Sequence, residues 1–114
     1  MRISEFEKAS GLSRDTLRYY EKVGMLTPPS RDLNGYRSYG PTQLEELAFI
    51  QKGKKIGFTL STIKEGYRRY KELGHFCPEF MEQLRSKKSQ LLTQISDNKK
   101  AVAEINKMLK WRDY

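Results

Sequence analysis

Arginine and tyrosine side chains recur in two short segments of this sequence and decide what chemistry it can support. The first segment is Thr16-Leu17-Arg18-Tyr19-Tyr20, and the second is Asn34-Gly35-Tyr36-Arg37-Ser38-Tyr39. Guanidinium groups and phenol hydroxyls donate hydrogen bonds to phosphate oxygens, and arginine also pairs with the edge of guanine. The two segments therefore predict a surface that binds a nucleic-acid backbone.

The overall composition is compatible with such a partner but does not identify it. The chain has 22 Lys and Arg against 14 Asp and Glu, a formal net charge of +8, which attracts polyanions; basic proteins without nucleic-acid partners are about as common. No apolar run approaches the roughly 20 residues that span a bilayer, and the sequence shows no apolar h-region of the kind found in signal peptides. The single cysteine, Cys77, cannot form an intramolecular disulfide. We therefore expect a cytoplasmic protein with no membrane partner.

Two short helices separated by a glycine-containing turn should position the first segment. Ser4, with Glu7 three residues later, predicts a capping box at the start of the first helix, and Gly11 should end that helix. Ser13 should cap the second helix, which Gly24 should terminate. Helical spacing then puts the arginines of the second helix on one exposed face. The pattern is typical of a helix-turn-helix.

A hairpin should position the second segment. Pro28 and Pro29 exclude a helix, and Asn34-Gly35 is a strong signal for a tight turn between two strands. Gly40-Pro41 restarts a helix, with Gly40 able to serve as N-cap, and Thr59 should cap a fourth. Residues 1–74 are thus predicted to be a mainly α unit of four helices plus a β-hairpin.

Residues 77–112 predict one long helix with a heptad repeat, about 50 Å long at 1.5 Å per residue, followed by a short tail at 113–114. Lys88 and Asn98 interrupt an otherwise largely apolar seam and could fix its register. Because no second long helix is available to cover the seam, we expect a homodimer. The expected interface residues are Met81, Leu84, Leu91, Ile95, Asn98, Val102, Ile105 and Leu109.

The ordered set of residues over positions 1–70 resembles the MerR family of bacterial transcription regulators. The matching residues are Leu17, Arg18, Tyr19, Tyr20, Gly24, Met25, Leu26, Pro28, Arg31, Asn34, Gly35, Tyr36, Arg37, Tyr39, Leu44, Leu47, Ile50, Gly57, Phe58, Thr59, Leu60 and Ile63. The long helix is similar to the antiparallel coiled-coil dimerisation helix of that family.

The resemblance implies a winged helix-turn-helix that places its second helix in the major groove. The first wing would lie at residues 27–39 and the second around residues 57–73. It also implies a homodimer that bends and untwists double-stranded promoter DNA with an over-long spacer, and so affects RNA polymerase indirectly, in response to an unknown signal. The sequence does not identify the operator or distinguish an activator from a repressor.

The residues expected to contact DNA lie on the second helix and the first wing. Either Arg14 or Arg18 could reach guanine or a phosphate, and the alternative is a solvated helix face. For Tyr36 and Tyr39 the alternative is packing across the strands. The full expected set is Arg14, Asp15, Thr16, Arg18, Tyr19, Arg31, Asn34, Gly35, Tyr36, Arg37 and Tyr39.

An effector site is not evident. The chain stops just past the long helix, where metal-sensing relatives have a cysteine-bearing loop and multidrug-sensing relatives have a ligand domain, so we expect a short member without an effector domain. Cys77 is most simply a structural cysteine, with thiol-based sensing or metal binding as alternatives. With His75 it supplies two ligands, fewer than a zinc site uses, so no metal and no cofactor is expected. Trp111 and Tyr114 could pack against a partner protomer or remain exposed.

Two other function classes fit the sequence less well. An excisionase-like or architectural DNA-binding protein could share the winged helix, although such proteins usually lack the long seam. An enzyme is disfavoured, since the sequence offers no nucleophile–histidine–carboxylate set, no phosphate-binding glycine loop and no paired carboxylates on a shared pocket face.

Overall fold

Residues 1–111 are described by the computed structural model, and the chain divides after Phe76 into two units. Within the described range the elements follow in this order: α1 (Ile3–Ser10), α2 (Arg14–Lys22), β1 (Ser30–Arg31), β2 (Arg37–Ser38), α3 (Pro41–Lys55), α4 (Leu60–Leu73) and α5 (Pro78–Lys110). The prediction of a mainly α chain with four helices, a β-hairpin and one long final helix is confirmed.

The first helix starts earlier than the sequence suggested. Arg2 is the N-cap of α1, its backbone N–H donates to the Glu5 carboxylate at 3.3 Å, and its carbonyl accepts from the Phe6 N–H at 2.9 Å. The predicted Ser4 cap is therefore wrong, because the helix begins two residues earlier and Glu5, not Glu7, accepts from the backbone N–H of the N-cap residue. The cap of α2 is confirmed, since the Ser13 hydroxyl accepts from the Thr16 N–H at 3.2 Å.

The core of the first unit joins all of its helices. Amphipathic spacing in α1 and α2 turns one face of each helix inward, and the loop after α2 adds two apolar side chains. The buried cluster consists of Phe6, Leu17, Tyr20, Met25, Leu26, Tyr39, Leu47, Ile50 and Ile63. The exposed face of α2 is thereby fixed relative to the hairpin, which also contributes a core residue.

Gly53 lets α3 and α4 approach each other closely. It is buried, and a Cβ atom at this position would lie 2.5 Å from Cγ1 and 2.8 Å from Cδ1 of Ile63. Such a contact is far shorter than van der Waals separation, so either the Ile63 side chain or the helix would have to move.

We expect Gly53→Ala to destabilise the protein despite its better helix propensity. Overpacking costs roughly 1–3 kcal/mol, whereas replacing glycine by alanine within a helix gains at most about 1 kcal/mol. Urea unfolding should show a lower free energy of unfolding for Gly53→Ala than for an exposed neighbour, Lys54→Ala. Gly53→Ala combined with Ile63→Ala should be less destabilised than the sum of the single changes. An unchanged or raised stability for Gly53→Ala would contradict the close approach.

The second unit is the long helix α5. Its N-cap is Cys77, whose Sγ accepts a hydrogen bond from the Phe80 N–H at 3.4 Å, and Pro78 follows at the first helical position, where its missing N–H costs nothing. The helix runs for 33 residues to Lys110, with Trp111 as its C-cap. Arg112, Tyr114 and the predicted tail at 113–114 lie outside the described residues.

Candidate nucleic-acid interface

Helix α2 presents a cationic and aromatic face to solvent. Burial of Leu17 and Tyr20 turns Arg14, Arg18 and Tyr19 outward, and all three side chains are exposed. Arg14 forms an ion pair with Glu7 through a 3.0 Å contact between Nε and Oε1. Within residues 1–111 no ion pair involves Arg18, so its guanidinium keeps all five donors available.

Asp15 and Thr16, the other two residues of α2 expected to contact DNA, differ in their exposure. Asp15 is exposed in the first turn, where its negative charge interacts favourably with the helix dipole. Thr16 is half-buried, and its hydroxyl lies 2.9 Å from that of Ser13. Thr16 is thus part of the N-terminal cap, and only its remaining hydrogen-bonding capacity is available to a ligand.

The wing is a very short antiparallel hairpin. The strands β1 and β2 have two residues each, with Ser30 opposite Ser38 and Arg31 opposite Arg37. The turn predicted at Asn34-Gly35 is confirmed, with Gly35 in the left-handed region at φ +81°. So few ladder hydrogen bonds cannot hold a hairpin in place alone, and side chains supply the rest.

Asp32 organises the tip of the wing, and sequence reasoning missed it. Its Oδ1 atom accepts from the backbone N–H groups of Asn34 at 2.9 Å and Tyr36 at 3.0 Å. Arg31 closes the loop from the other side, since Nη1 donates to the Gly35 carbonyl at 2.8 Å. The aspartate could have been found from its position two residues before Asn34, because Asp commonly binds the backbone N–H two residues on.

Arg2 extends the cationic surface to the wing, and it was also missed. Its guanidinium carbon lies 4.4 Å from the centroid of the Tyr36 ring, within the range of a cation–π contact. Its Nη2 atom lies 4.0 Å from Oδ2 of Asp32. Tyr36 therefore remains exposed while one face of its ring is covered by an arginine.

Tyr39 is the one expected DNA contact that the structure contradicts. Its side chain is 1% exposed, and its ring stacks on Phe6 with centroids 4.7 Å apart. Its backbone N–H donates to the Met1 carbonyl at 2.6 Å. Burial of a large aromatic surface and a ring stack outweigh any benefit of exposing the phenol, so the Tyr39 side chain anchors the wing to the core instead of facing solvent.

Glu21 ties the wing to α2. Its side chain is 10% exposed. Oε1 accepts from the Tyr39 hydroxyl at 2.8 Å, and Oε2 accepts from Nη1 of Arg37 at 2.7 Å. Burial and the bond to Glu21 raise the pKa of Tyr39 above its ordinary value, and the Tyr39 hydroxyl together with Glu21 raises the pKa of Arg37. The guanidinium of Arg37 is therefore charged and is held beside Glu21 at the base of the wing.

Glu21 could have been found in the sequence from its helical spacing. It lies four residues after Leu17, at the edge of the buried face, where an acidic side chain among basic ones indicates an internal partner. Its partners Arg37 and Tyr39 are separated from it by 16 and 18 residues, a distance that local patterns do not cover.

The region predicted as a second wing consists of a turn and α4. The Thr59 hydroxyl caps α4 by accepting from the Thr62 N–H at 3.2 Å. Lys64 donates through Nζ to the Val23 carbonyl at 2.8 Å, which places a positive charge at the C-terminal end of α2. Arg68 is occupied by ion pairs with Glu65 and Glu72, so α4 offers fewer available cations than its sequence suggests.

Two family models match most of the chain. The model described as MerR HTH family regulatory protein matches residues 1–72, and the one described as MerR, DNA binding, matches residues 44–108. The chain belongs to the MerR family. The resemblance inferred from residues 1–70 is thereby confirmed.

Individual members of the MerR family are similar over different lengths. An uncharacterized HTH-type transcriptional regulator of Synechocystis sp. is 33% identical over 107 residues, covering 94% of this chain and 78% of the relative. A probable heavy metal-dependent transcriptional regulator of Haemophilus influenzae is 46% identical over 65 residues, covering 57% of this chain and 51% of the relative. The chain spans about half the length of several such curated relatives.

One of the similar solved structures contains promoter DNA. It is the crystal structure of a MerR family regulator lacking the sensor domain, bound to promoter DNA. It matches with a TM-score of 0.68 at 25% identity, covering 90% of this chain and 77% of its own length. These relatives are described as regulators of transcription, and none of these descriptions names an enzymatic activity.

Helix α5 of this MerR-family chain carries an uncovered apolar stripe. Ile95, Val102, Ile105 and Leu109 are between 50% and 64% exposed. Leu91 and Trp111 are exposed as well, Met81 and Leu84 are half-buried, and Asn98 is exposed among the apolar positions. A regular stripe of this kind on a long helix is typical of a surface that pairs with another helix.

Neither a metal centre nor a membrane segment is found in the part of the chain that the structure describes. No three or more His, Cys, Asp and Glu side chains cluster there in a way that could hold a metal ion. None of its helices combines the length and the apolar character that crossing a bilayer requires. Cys77 is buried and engaged as a helix cap, which favours the structural interpretation of this residue over thiol sensing.

Proposed function

We propose that this protein is a sequence-specific DNA-binding transcriptional regulator that acts as a homodimer. In this proposal α2 enters the major groove, the wing contacts the adjacent backbone, and antiparallel α5 helices join two protomers. The dimer bends and untwists promoter DNA whose spacer is over-long, so RNA polymerase responds through the shape of its promoter. The signal that controls the dimer is left open.

The observation that carries the proposal is the linkage of two cationic elements through Glu21. The exposed face of α2 provides Arg14 and Arg18, and the wing provides Arg31 and Arg37. Because Glu21 binds Arg37 and Tyr39 together, the two elements form one preorganised surface. Preorganised donors bind phosphates without the entropic cost of ordering flexible arginines.

The uncovered stripe on α5 supports a homodimer. Antiparallel pairing would cover the side chains from Leu91 to Leu109 on both helices at once, and Asn98 near the middle would restrict the register. Two recognition surfaces on one dimer suit a near-palindromic site. The same stripe disfavours the excisionase-like or architectural alternative, which requires no long dimer helix.

The proposal can be tested by selecting bound fragments from a pool of genomic DNA. The expected result is a near-palindrome lying between two promoter elements, and footprinting should place the protein over an extended spacer. Deleting two base pairs from that spacer should make transcription independent of the protein. Recovery of unrelated fragments with equal affinity would contradict a sequence-specific regulator.

We expect Arg37→Ala to weaken DNA binding about equally on all duplexes. Loss of one phosphate contact should lower the slope of log K against log salt by about 1 per site. Fluorescence anisotropy at several salt concentrations measures both quantities. Lys100→Ala removes the same charge from α5 and should leave the slope unchanged. Identical slopes for the wild type and Arg37→Ala would refute a phosphate contact by Arg37.

A further inference from the structure

Leu33 stands at the tip of the wing with its side chain fully in solvent. Its relative exposure is 106%, above that of any other large apolar residue in residues 1–111. Single exposed apolar side chains are ordinary on protein surfaces. This one differs in its setting, because it lies at the outermost point of an otherwise polar and cationic loop.

The loop holds Leu33 in a fixed position. Asp32, directly before Leu33, binds three residues that follow it: Oδ1 accepts from the backbone N–H groups of Asn34 and Tyr36, and the carbonyl accepts from the Gly35 N–H at 3.0 Å. The base of the loop is held in turn by Glu21 through Arg37. Little conformational entropy would therefore be lost when Leu33 is buried by a partner.

The surroundings of Leu33 select a polyanion as that partner. Arg31 and Arg2 flank the tip, and the only carboxylate in the loop, Asp32, is occupied by backbone donors and lies 4.0 Å from Arg2. The tip thus combines an apolar projection with a cationic rim. That combination fits the minor groove of DNA, whose walls are lined by phosphates and whose floor accepts apolar side chains between base steps.

We propose that Leu33 enters the minor groove beside each half-site and inserts against a base step. This inference rests on the proposed function, and adds a specificity-determining residue on the wing. When α2 lies in the major groove, the wing attached to it through Glu21 reaches the neighbouring backbone, and only its tip can extend past the phosphates. A partly inserted side chain favours steps that unstack easily, such as TA and CA/TG. Leu33 therefore contributes to the choice of sequence without any hydrogen bond to a base.

The test uses the full chain and a duplex recovered by the genomic selection. Leu33→Ala should bind this duplex about tenfold more weakly, because it loses the burial of most of one leucine side chain, while its salt slope stays that of the wild type. With 2-aminopurine at the step facing the wing, the wild type should raise the fluorescence and Leu33→Ala should not. Replacing a TA step there by AA should reduce the affinity of the wild type more than that of Leu33→Ala.

Leu92→Ala is the matched control, since it removes the same atoms from an exposed leucine on α5 and should leave the fluorescence signal unchanged. If Leu33→Ala binds DNA like the wild type but lowers transcription with purified polymerase, Leu33 contacts a protein and the inference is overturned. Equal affinity and equal 2-aminopurine signals for both proteins overturn it as well. If the wild type prefers no duplex at all, the proposed function itself fails, and this inference fails with it.

Discussion

Val102→Asp should convert the protein into a monomer at micromolar concentration. Val102 is 56% exposed in the single chain and lies in the middle of the apolar stripe. In an antiparallel pair an aspartate at this position would bury an unpaired carboxylate in each protomer, and the desolvation of such a charge is costly. Sedimentation equilibrium should show the mass of one chain where the wild type shows that of two.

The same substitution should lower the affinity for the selected duplex by about 10²- to 10⁴-fold, because the DNA-binding units of the two protomers would no longer be linked. Ala103→Asp is the matched control: it places the same charge on the next residue, which is also exposed but lies outside the stripe. It should remain dimeric. A monomeric wild type, or a dimeric Val102→Asp variant, would contradict the proposal that α5 joins two protomers.

Glu21→Gln should weaken both the fold and DNA binding, although glutamine has nearly the same shape. An amide accepts more weakly than a carboxylate and carries no charge to balance Arg37. Loss of charge-assisted hydrogen bonds to the Tyr39 hydroxyl and the Arg37 guanidinium should cost about 1–3 kcal/mol of unfolding free energy. DNA affinity should fall further than stability alone explains, because the wing would no longer be fixed to α2.

Tyr39→Phe tests the two bonds of Glu21 separately. It removes the hydrogen bond from the Tyr39 hydroxyl, while the bond to Arg37 and the ring stack on Phe6 remain. We expect it to lose less stability than Glu21→Gln and to retain most of the DNA affinity. Glu45→Gln serves as a control, because Glu45 is an exposed carboxylate on α3. Urea unfolding and anisotropy measure the two effects separately. A Glu21→Gln variant with wild-type affinity would show that the wing needs no link to α2.

The sequence predicted those parts of the fold that depend on neighbouring residues. Ser13 caps α2 because its hydroxyl acts on a donor three residues away, and Asn34-Gly35 forms a turn because glycine adopts the left-handed conformation without strain. The heptad spacing predicted the long helix α5, and the resemblance over residues 1–70 predicted the winged helix-turn-helix. The expected DNA contacts on α2 and the wing stay predictions, namely those of Arg14, Asp15, Thr16, Arg18, Tyr19, Arg31, Asn34, Gly35, Tyr36 and Arg37.

Interactions between distant residues were not predictable from these patterns. Tyr39 was expected at the surface because it ends an arginine–tyrosine segment, yet its position is decided by Phe6, 33 residues earlier, and by Glu21. An amphipathic tyrosine can satisfy its hydroxyl either in solvent or on a buried carboxylate. Local sequence does not indicate which of the two is present, so the hydrogen bond between Tyr39 and Glu21 was missed.

The wing has strands of two residues each, and its order comes from side chains at its base and from Asp32. The side chains at the tip of the hairpin are thus separate from those that attach the hairpin to the core. Leu33 and Asn34, which project from the tip, make no contact that the core requires, whereas Arg37 and Tyr39 do. A protein engineer could therefore exchange the tip residues to retarget the regulator while leaving its scaffold intact.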